Sequence, residues 1–318
     1  MTSYIIRRLI QAVVVILVIS LLVFLLMRLL PGDPIEMLMS SSMLTDYTPE
    51  MMEALRHEKG LDRPWMVQYF DWLLQMLRGD FGYSIMRNFN ISSEIGSRAV
   101  VTLLIGITAW LIGLIVGPLL GIICAIRRGK FIDNLVSVLA NIGITAPSFW
   151  IAILLVYLFV LKLKALPLYG YTLPWVDFGA CVKQSIMPVF VTALGPIATT
   201  ARQTRSSVLE VLNEDYVRTA WAKGNNERKV IFGHVLKNAL MPVVTLQGTM
   251  LRMVVGGSVV VETIFVVPGM GKMLVDGMLS HDYPVVQAVT VIMTAVVVLS
   301  SLIVDILYAW IDPRIQYS

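Results

Sequence analysis

Charged residues are scarce in this sequence, and the motifs of several enzyme classes are missing from it. Asp, Glu, Lys and Arg make up 14% of the 318 residues, whereas soluble domains average about 25%. No GKS or GKT phosphate loop occurs, so we do not expect the chain to hydrolyse ATP by that route. The GxSxG and HExxH patterns are also missing, which argues against a serine hydrolase and a zinc protease.

Residues that commonly bind metals are equally sparse. The two cysteines, Cys124 and Cys181, lie in or near different apolar segments, and the three histidines are dispersed in loops. Neither cysteine has a CxxC neighbour, so we predict neither a disulfide scaffold nor a bound metal or other cofactor. The net charge of +4 is concentrated in loops, where it indicates orientation in a membrane rather than binding to nucleic acid.

Long apolar runs dominate the sequence instead. Hydrophobic residues make up 57% of the chain, and the mean hydropathy is +0.77. About 20 apolar residues suffice for a helix to cross a bilayer. Six such spans are predicted, at about residues 9–27, 100–126, 132–161, 185–204, 240–261 and 285–310. The predicted fold class is an all-α polytopic membrane protein with a small helical extracytoplasmic loop domain after the first helix.

Three regions follow from this division of the chain. Residues 1–30 form a transmembrane helix, residues 31–96 the extracytoplasmic loop domain, and residues 97–311 the transmembrane core, which includes a cytoplasmic loop at 205–241. Basic clusters at Arg7, Arg127, Arg202 and Arg314 fall on one side, so both termini are predicted to be cytoplasmic. Apolar residues recur at helical spacing between Trp65 and Leu77, which predicts an amphipathic cap on the outer face.

The predicted spans contain glycines, a proline and a buried charge. The second span carries four glycines on nearly one face, Gly106, Gly113, Gly117 and Gly121. This spacing favours close helix packing. In the third span Pro147, followed by Ser148, breaks the helix, and the break either lines a substrate path or is a structural kink. Arg252 lies near mid-depth in the fifth span, either with a role in transport or at a subunit interface, bonding backbone carbonyls.

A charged stretch, residues 213–242, separates two apolar spans and is predicted to form two short helices. Asn213 is expected to cap the first helix, Lys223 and Gly224 to end it, and Asn225 with Asn226 to begin the second.

The first of these helices carries a small apolar and aromatic face, formed by Tyr216, Val217, Ala220 and Trp221. Such a face suits docking into a groove of a partner protein. The alternative is a basic loop that only fixes orientation.

The same stretch resembles a known motif. The run DYVRTAWAKG, residues 215–224, followed by Arg228, Asn238, Ala239 and Pro242, resembles the EAA loop of inner-membrane permease subunits of ATP-binding-cassette importers. Its form is most similar to that of the dipeptide, oligopeptide and nickel permease family, in which the opening Glu-Ala-Ala is replaced, as it is here. The resemblance implies a coupling helix seated on an ATPase subunit and formed by Asp215, Tyr216, Arg218, Thr219, Ala220, Trp221, Lys223 and Gly224.

Other segments are similar to signatures of the same family and imply its partners. They are residues 60–64, 79–84, 256–265 and 282–287, together with the ending Asp312-Pro313-Arg314. The long first loop is typical of the first permease of a pair. The resemblance implies a second permease subunit, two ATP-binding subunits that hold ATP and Mg, and an extracytoplasmic solute-binding protein. The location would be the inner membrane of a bacterium, in contact with lipid and not with nucleic acid.

The predicted function is that of a non-catalytic permease subunit in an ATP-driven importer of di- or oligopeptides. Nickel or a nickel chelate is the alternative cargo, although no cluster of His, Cys or Met is spaced convincingly for a metal. Two other classes stay open. An ion-driven secondary transporter would need paired ionisable residues at mid-membrane and an inverted repeat, whereas a membrane anchor would use the loop only to bind a partner.

Overall fold

The computed structural model describes residues 2–29, 35–36, 48–255 and 259–311, and this part of the chain is almost entirely helical. Within it the only β-type pairing is an isolated bridge between Tyr83 and Asn90. The predicted all-α fold class is therefore confirmed. Residues 256–258, which open one family signature, and residues 312–318, which include the predicted cytoplasmic ending, lie outside the described residues.

The described helices are numbered here in chain order. They are α1 (Thr2–Leu29), α2 (Pro49–Glu58), α3 (Trp65–Leu77), α4 (Ile91–Ile126), α5 (Phe131–Thr145), α6 (Ser148–Lys162), α7 (Phe178–Val211), α8 (Asp215–Ala222), α9 (Glu227–Ala239), α10 (Met241–Val255), α11 (Val259–Ile264), α12 (Met270–Leu279) and α13 (Tyr283–Ile311). The described residues form two compact units: unit one comprises those up to residue 102 and from 268 to 302, and unit two those from 103 to 267 and from 303 to 311.

In the part of the chain that the structure describes, four segments are long and apolar enough to cross a membrane. They are Ile6–Leu29, Ile91–Ile126, Phe178–Val211 and Tyr283–Ile306. Two bent pairs pass the same test together: α5 with α6, at an angle of 105°, and α9 with the Met241–Met253 part of α10, at 49°. Counting each pair as one span gives up to six, the predicted number. In the second pair only α10 falls within the predicted fifth span, since α9 lies in the charged loop of residues 205–241.

The structure refines the prediction for the third span and describes part of the fifth. The proline at position 147 does more than kink the third span, because the chain turns through 105° there and α5 and α6 are separate legs. Of the fifth predicted span, residues 240–261, the structure describes α10 as far as Val255 and α11 from Val259, and residues 256–258 lie outside the described residues.

Unit one is held together by a cluster that joins α4, α12 and α13. Its buried members are Ile91, Ile95, Met270, Met273, Val285, Ala288 and Val289. The segment before α4 is fixed by Asp282, a buried carboxylate that accepts hydrogen bonds from the Ser84 hydroxyl and from the backbone N–H of Ile85 at 3.1 Å. Two separate family signatures, residues 79–84 and 282–287, therefore meet at one hydrogen-bonded turn.

In unit two the glycine face of α4 packs directly on α7. A Cβ atom built at Gly113 would lie 2.7 Å from the Pro196 Cβ, and one at Gly121 would lie 2.5 Å from the Ala201 carbonyl oxygen. These distances are too short for any side chain, so the two helices approach as closely as glycine permits. The predicted role in packing is confirmed for Gly113, Gly117 and Gly121.

Candidate functional site

The loop between α7 and α10 contains the predicted pair of short helices, with one difference in capping. Asn213 does not cap α8, because its side-chain amide donates to the Leu209 carbonyl at 3.0 Å and so belongs to the end of α7. Glu214 stands at the cap position without a side-chain hydrogen bond. The stop is confirmed: α8 ends at Ala222, and Gly224 has φ +75°, the left-handed conformation that favours glycine. Asn226 caps α9 by accepting from the Lys229 N–H at 2.9 Å.

The apolar face predicted for docking is divided between the interior and the surface. Val217 is fully buried, and Ala220 is 5% exposed. Both pack with buried side chains of α7 and α9, among them Val208, Val230 and Val235. Complete burial of a valine contributes about 1.5–3 kcal/mol. Half of the predicted docking face is therefore the contact that fixes α8 on its own chain, and this part of the prediction is wrong.

The other two members of that face, Tyr216 and Trp221, are exposed on either side of the buried pair, and Trp221 is 43% exposed. The Tyr216 hydroxyl accepts from the side-chain amide of Asn238 on α9 at 2.8 Å. Asn225 donates to the Ala220 carbonyl at 3.0 Å. The first bond joins α8 to α9 and the second fixes the turn between them, so that the exposed side of α8 is presented on a rigid support.

The exposed side of α8 is polar and charged. Arg218 and Asp215 form an ion pair of 3.2 Å, in which both side chains are largely in solvent. Such a pair contributes about 0–1 kcal/mol, so a partner could take over either charge at little cost. The Thr219 hydroxyl donates to the Asp215 carbonyl at 2.9 Å, and Lys223 stands exposed at the end of the helix. This surface of Asp215, Arg218, Thr219, Trp221 and Lys223 is called the α8 surface below.

An exposed aromatic residue on α9 was not predicted. Phe232 is 69% exposed and lies in a π-helical turn, Ile231–Val235, that interrupts α9. π-Helical turns occur frequently at functional sites. The available signal in the sequence was a phenylalanine in a charged loop, which periodicity alone does not place inside or outside.

An ion pair between a buried carboxylate and a partly exposed arginine braces the helices next to this loop. Arg205 on α7 makes two bonds to the Asp133 carboxylate on α5, of 2.6 and 2.8 Å, and Asp133 also accepts from the Gly129 N–H at 2.9 Å. Paired bonds of this kind fix both position and orientation. Sequence analysis assigned the basic residues here only to orientation, and it missed this pairing because the two residues are far apart in the chain.

The predicted path residues Pro147 and Ser148 lie at the bend between α5 and α6, and both are exposed. Ser148 lines an open cleft of about 460 Å³ in unit two. The cleft walls are mostly apolar or small, and include Gly143, Gly195, Met250 and Met253. The bend thus places a hydroxyl in an apolar cleft, an arrangement compatible with either alternative left open for this proline.

Arg252, the third predicted path residue, points to a carboxylate rather than to the cleft. Its guanidinium lies 2.8 Å from Asp305 on α13, and the Asp305 side chain is mostly buried. Met250 and Met253 of the same helix line the cleft. The guanidinium therefore pairs with a carboxylate here, and not with the backbone carbonyls of the interface alternative. An intramembrane ion pair is also a feature that an ion-driven transporter would need, so this pair alone does not separate the classes.

These features define the class as a polytopic helical membrane protein with an exposed, internally braced loop helix. Comparison with known proteins is more specific. Residues 117–317 match the family described as binding-protein-dependent transport system inner membrane component, and residues 1–105 match the corresponding N-terminal family. The chain therefore belongs to the family of inner membrane components of binding-protein-dependent transport systems.

Several relatives match over their full length. The oligopeptide transport system permease protein AppB of Bacillus subtilis is 40% identical over 324 residues, which cover 100% of both chains. A candidate peptide permease of Brucella suis biovar 1 is 40% identical over 319 residues, with 99% of each chain covered. A Sinorhizobium fredii protein named as a peptide ABC transporter permease is 37% identical over 317 residues, with 100% of each covered. The resemblance found in the sequence is confirmed, and the chain is a non-catalytic transmembrane subunit of an ABC transport system.

Proposed function

We propose that this chain is a peptide-conducting permease subunit of an ATP-driven importer, the first permease of a pair, and that ATPase subunits dock on the α8 surface. The names of the full-length relatives support the cargo. The observation that carries the docking proposal is the division of α8, in which Val217 and Ala220 are buried while Arg218 and Trp221 are exposed. Exposed aromatic and arginine side chains on a rigid support are typical of the residues that dominate binding energy at interfaces.

The proposed mechanism passes force from α8 to the membrane helices through packed contacts. The buried cluster around Val217 contains side chains of α7 and α9. A displacement of α8 by an ATPase subunit would therefore move the end of α7, which carries Arg205 of the ion pair with Asp133, and also α9. Because α9 continues into α10 through a 49° bend, the same displacement would reach the wall of the cleft that contains Met250 and Met253.

We also propose the orientation of this chain in the membrane and the subunits with which it assembles. The α8 surface and both termini lie in the cytoplasm, in agreement with the basic residues of this loop and of residues 127–130. ATP and Mg are bound by the ATPase subunits, and this chain holds neither. A second permease completes the translocation path, and a solute-binding protein delivers the peptide on the outer side.

The test uses a charge reversal on the α8 surface and a matched reversal elsewhere. Arg218→Glu in the assembled transporter should lower co-purification of the ATPase subunits at least tenfold, equivalent to about 1.4 kcal/mol, and should abolish ATP-dependent uptake of a labelled dipeptide. Arg128→Glu, at an exposed arginine in another loop, should leave both unchanged. Normal assembly and uptake in Arg218→Glu would overturn the docking proposal. Uptake of ⁶³Ni²⁺ but of no di- or oligopeptide would overturn the cargo.

A further inference from the structure

Helix α3 of the long first loop exposes a continuous apolar stripe. The stripe consists of Met66, Phe70, Leu74 and Leu77, which range from 54% exposed at Leu74 to 74% at Leu77. Their spacing of four, four and three residues keeps them on one side of the helix. Asp71 and Gln75, which are also exposed, form a narrow polar edge beside the stripe. The helix is thus apolar over most of its circumference, although it belongs to a loop.

The contacts of α3 with α1 fix its depth relative to a membrane-spanning helix. The Tyr69 hydroxyl and the Ser20 hydroxyl are 2.9 Å apart, and the Tyr69 ring meets Phe24 edge-on at 5.3 Å between centroids. Ser20 precedes the end of α1 at Leu29 by about 13 Å, at 1.5 Å per residue. The span Ile6–Leu29 is roughly 36 Å long at the same rise and therefore exceeds a hydrocarbon core of about 30 Å by only ~3 Å at each end. The tip of the Tyr69 side chain consequently reaches about 10 Å into the hydrocarbon region.

We infer that α3 lies within the lipid leaflet at the C-terminal end of α1, with its apolar stripe in contact with acyl chains. In the proposed orientation this is the outer leaflet. The inference needs only that α1 spans the membrane, and it is independent of the cargo and of ATPase docking. A helix with a wide apolar arc and a narrow polar edge is the form that lies at the boundary of head groups and acyl chains, about 5–10 Å deep.

Continuity with the surface of α1 favours lipid over a protein partner. Ser20, Phe24 and Met27 form the buried face of α1, whereas Leu22 and Leu26 are exposed on its other faces, as expected for lipid contact. Tyr69 packs on the buried face, and Phe70 follows it by about 100° around α3. The stripe therefore continues the apolar surface of α1 near the C-terminal end of that helix, where neighbouring exposed side chains such as Leu26 are expected to contact lipid.

The consequence is a loop domain anchored at the membrane surface. With α3 immersed, the rest of the loop is held close to the bilayer, and the remaining polar surface of the loop is left for the solute-binding protein. The Arg28 side chain, stacked 3.5 Å above the Phe24 ring and bonded to Gln68, marks the level at which α3 meets the head groups. An arginine at that level is typical of the interface.

Depth measurement by spin labelling tests the inference. Nitroxide labels are attached to Phe70→Cys and, as the matched control, to Gln75→Cys on the polar edge, in a chain whose buried Cys124 and Cys181 are replaced by serine. The full transporter is reconstituted in vesicles of phosphatidylethanolamine and phosphatidylglycerol at three to one. Accessibility to oxygen, which partitions into lipid, is compared with accessibility to a water-soluble nickel chelate. The ratio of the two should be severalfold higher at position 70 than at position 75.

Three results would overturn the inference. A label at position 70 as accessible to the nickel chelate as that at 75 would place the stripe in water. Low accessibility to both reagents, or a change on adding the solute-binding protein, would place it under a protein. Leu74→Cys repeats the measurement one turn further along the stripe, so that a local distortion at position 70 is recognised. The readout does not depend on transport, so failure here is distinguishable from failure of the proposed function.

Discussion

Replacing Gly121 with alanine tests the close contact of α4 with α7. The new Cβ would lie 2.5 Å from both the Ala201 carbonyl oxygen and the Thr204 Cβ, and 3.0 Å from the Arg205 backbone nitrogen. Ordinary contacts begin near 3.4 Å, so the helices must separate locally by roughly 1 Å. Two of the three neighbours are backbone atoms and cannot rotate away. Overpacking of this kind costs about 1–3 kcal/mol, and the higher helix propensity of alanine returns up to about 1 kcal/mol.

The expected net effect is a loss of about 1–2 kcal/mol in the free energy of unfolding. Thermal unfolding of the purified transporter in lipid nanodiscs should show a fall in Tm of roughly 2–8 °C on the scale of globular domains of 150–250 residues. Gly96→Ala is the control, since Gly96 lies in the same helix and a Cβ there would meet nothing within 4 Å. This control should unfold at the wild-type temperature or slightly above it.

The contradictory result is equally specific. If Gly121→Ala and Gly96→Ala unfold at the same temperature, the backbones of α4 and α7 are not in contact at this position. The effect should also extend to transport, because the strained Arg205 backbone carries the guanidinium that binds Asp133 beside the α8 loop. A stable Gly121→Ala variant with normal uptake would therefore refute both the close contact of α4 with α7 and its link to transport.

Two further predictions concern the loop and the intramembrane ion pair. Gly224→Ala meets no steric obstacle but keeps φ at +75°, a strain of about 1–2 kcal/mol, so it should reduce ATP-dependent uptake. Gly233→Ala should not reduce uptake, because position 233 has open space and no positive φ. Equal uptake in both variants would show that the left-handed turn at Gly224 is not needed for transport. Arg252→Met removes the charged partner that lies 2.8 Å from Asp305 and should destabilise the protein by about 1.5–3 kcal/mol, the usual contribution of a hydrogen bond to a charged group. Adding Asp305→Asn should restore much of that loss in the same unfolding assay, whereas additive losses would show that the pair is not coupled.

Local chemistry in the sequence predicts well where the two loop helices end and begin. Gly224 ends α8 and Asn226 caps α9 as expected, because a left-handed glycine and a side-chain cap depend on only a few neighbouring residues. The glycine face of α4 is likewise a matter of helical period. Pro147 predicts a break for the same reason, although the 105° angle depends on what the two legs pack against.

Local sequence could not predict which side of a helix faces the interior or which distant residues pair with each other. Val217 and Trp221 are four residues apart on one helical face, and nothing local distinguishes an apolar residue that packs on its own chain from one that awaits a partner. The direction was decided by α9, whose Val230 and Val235 cover Val217. Arg252 was singled out, but its contact with Asp305, 53 residues away in the chain, leaves no periodic signal.

The prediction that Asn213 caps α8 was wrong for a similar reason. Asparagine is a favoured cap residue, and its amide can equally donate to a carbonyl at the end of the preceding helix, as it does with Leu209. The α7 helix extends to Val211, beyond the predicted span, so the end of one helix and the start of the next compete for the same side chain. Only the length of α7 decides the competition.

The most direct test of the central claim is photo-crosslinking from the α8 surface in the assembled transporter. A benzoylphenylalanine at position 218 should form an adduct with an ATPase subunit on illumination, because the Arg218 side chain is exposed on a helix that is fixed from behind. The same group at position 128, exposed in another loop of the same predicted side, should give little or no such adduct. Adducts from position 128 but none from 218, or labelling of position 218 by an impermeant reagent applied outside the cell, would contradict the account.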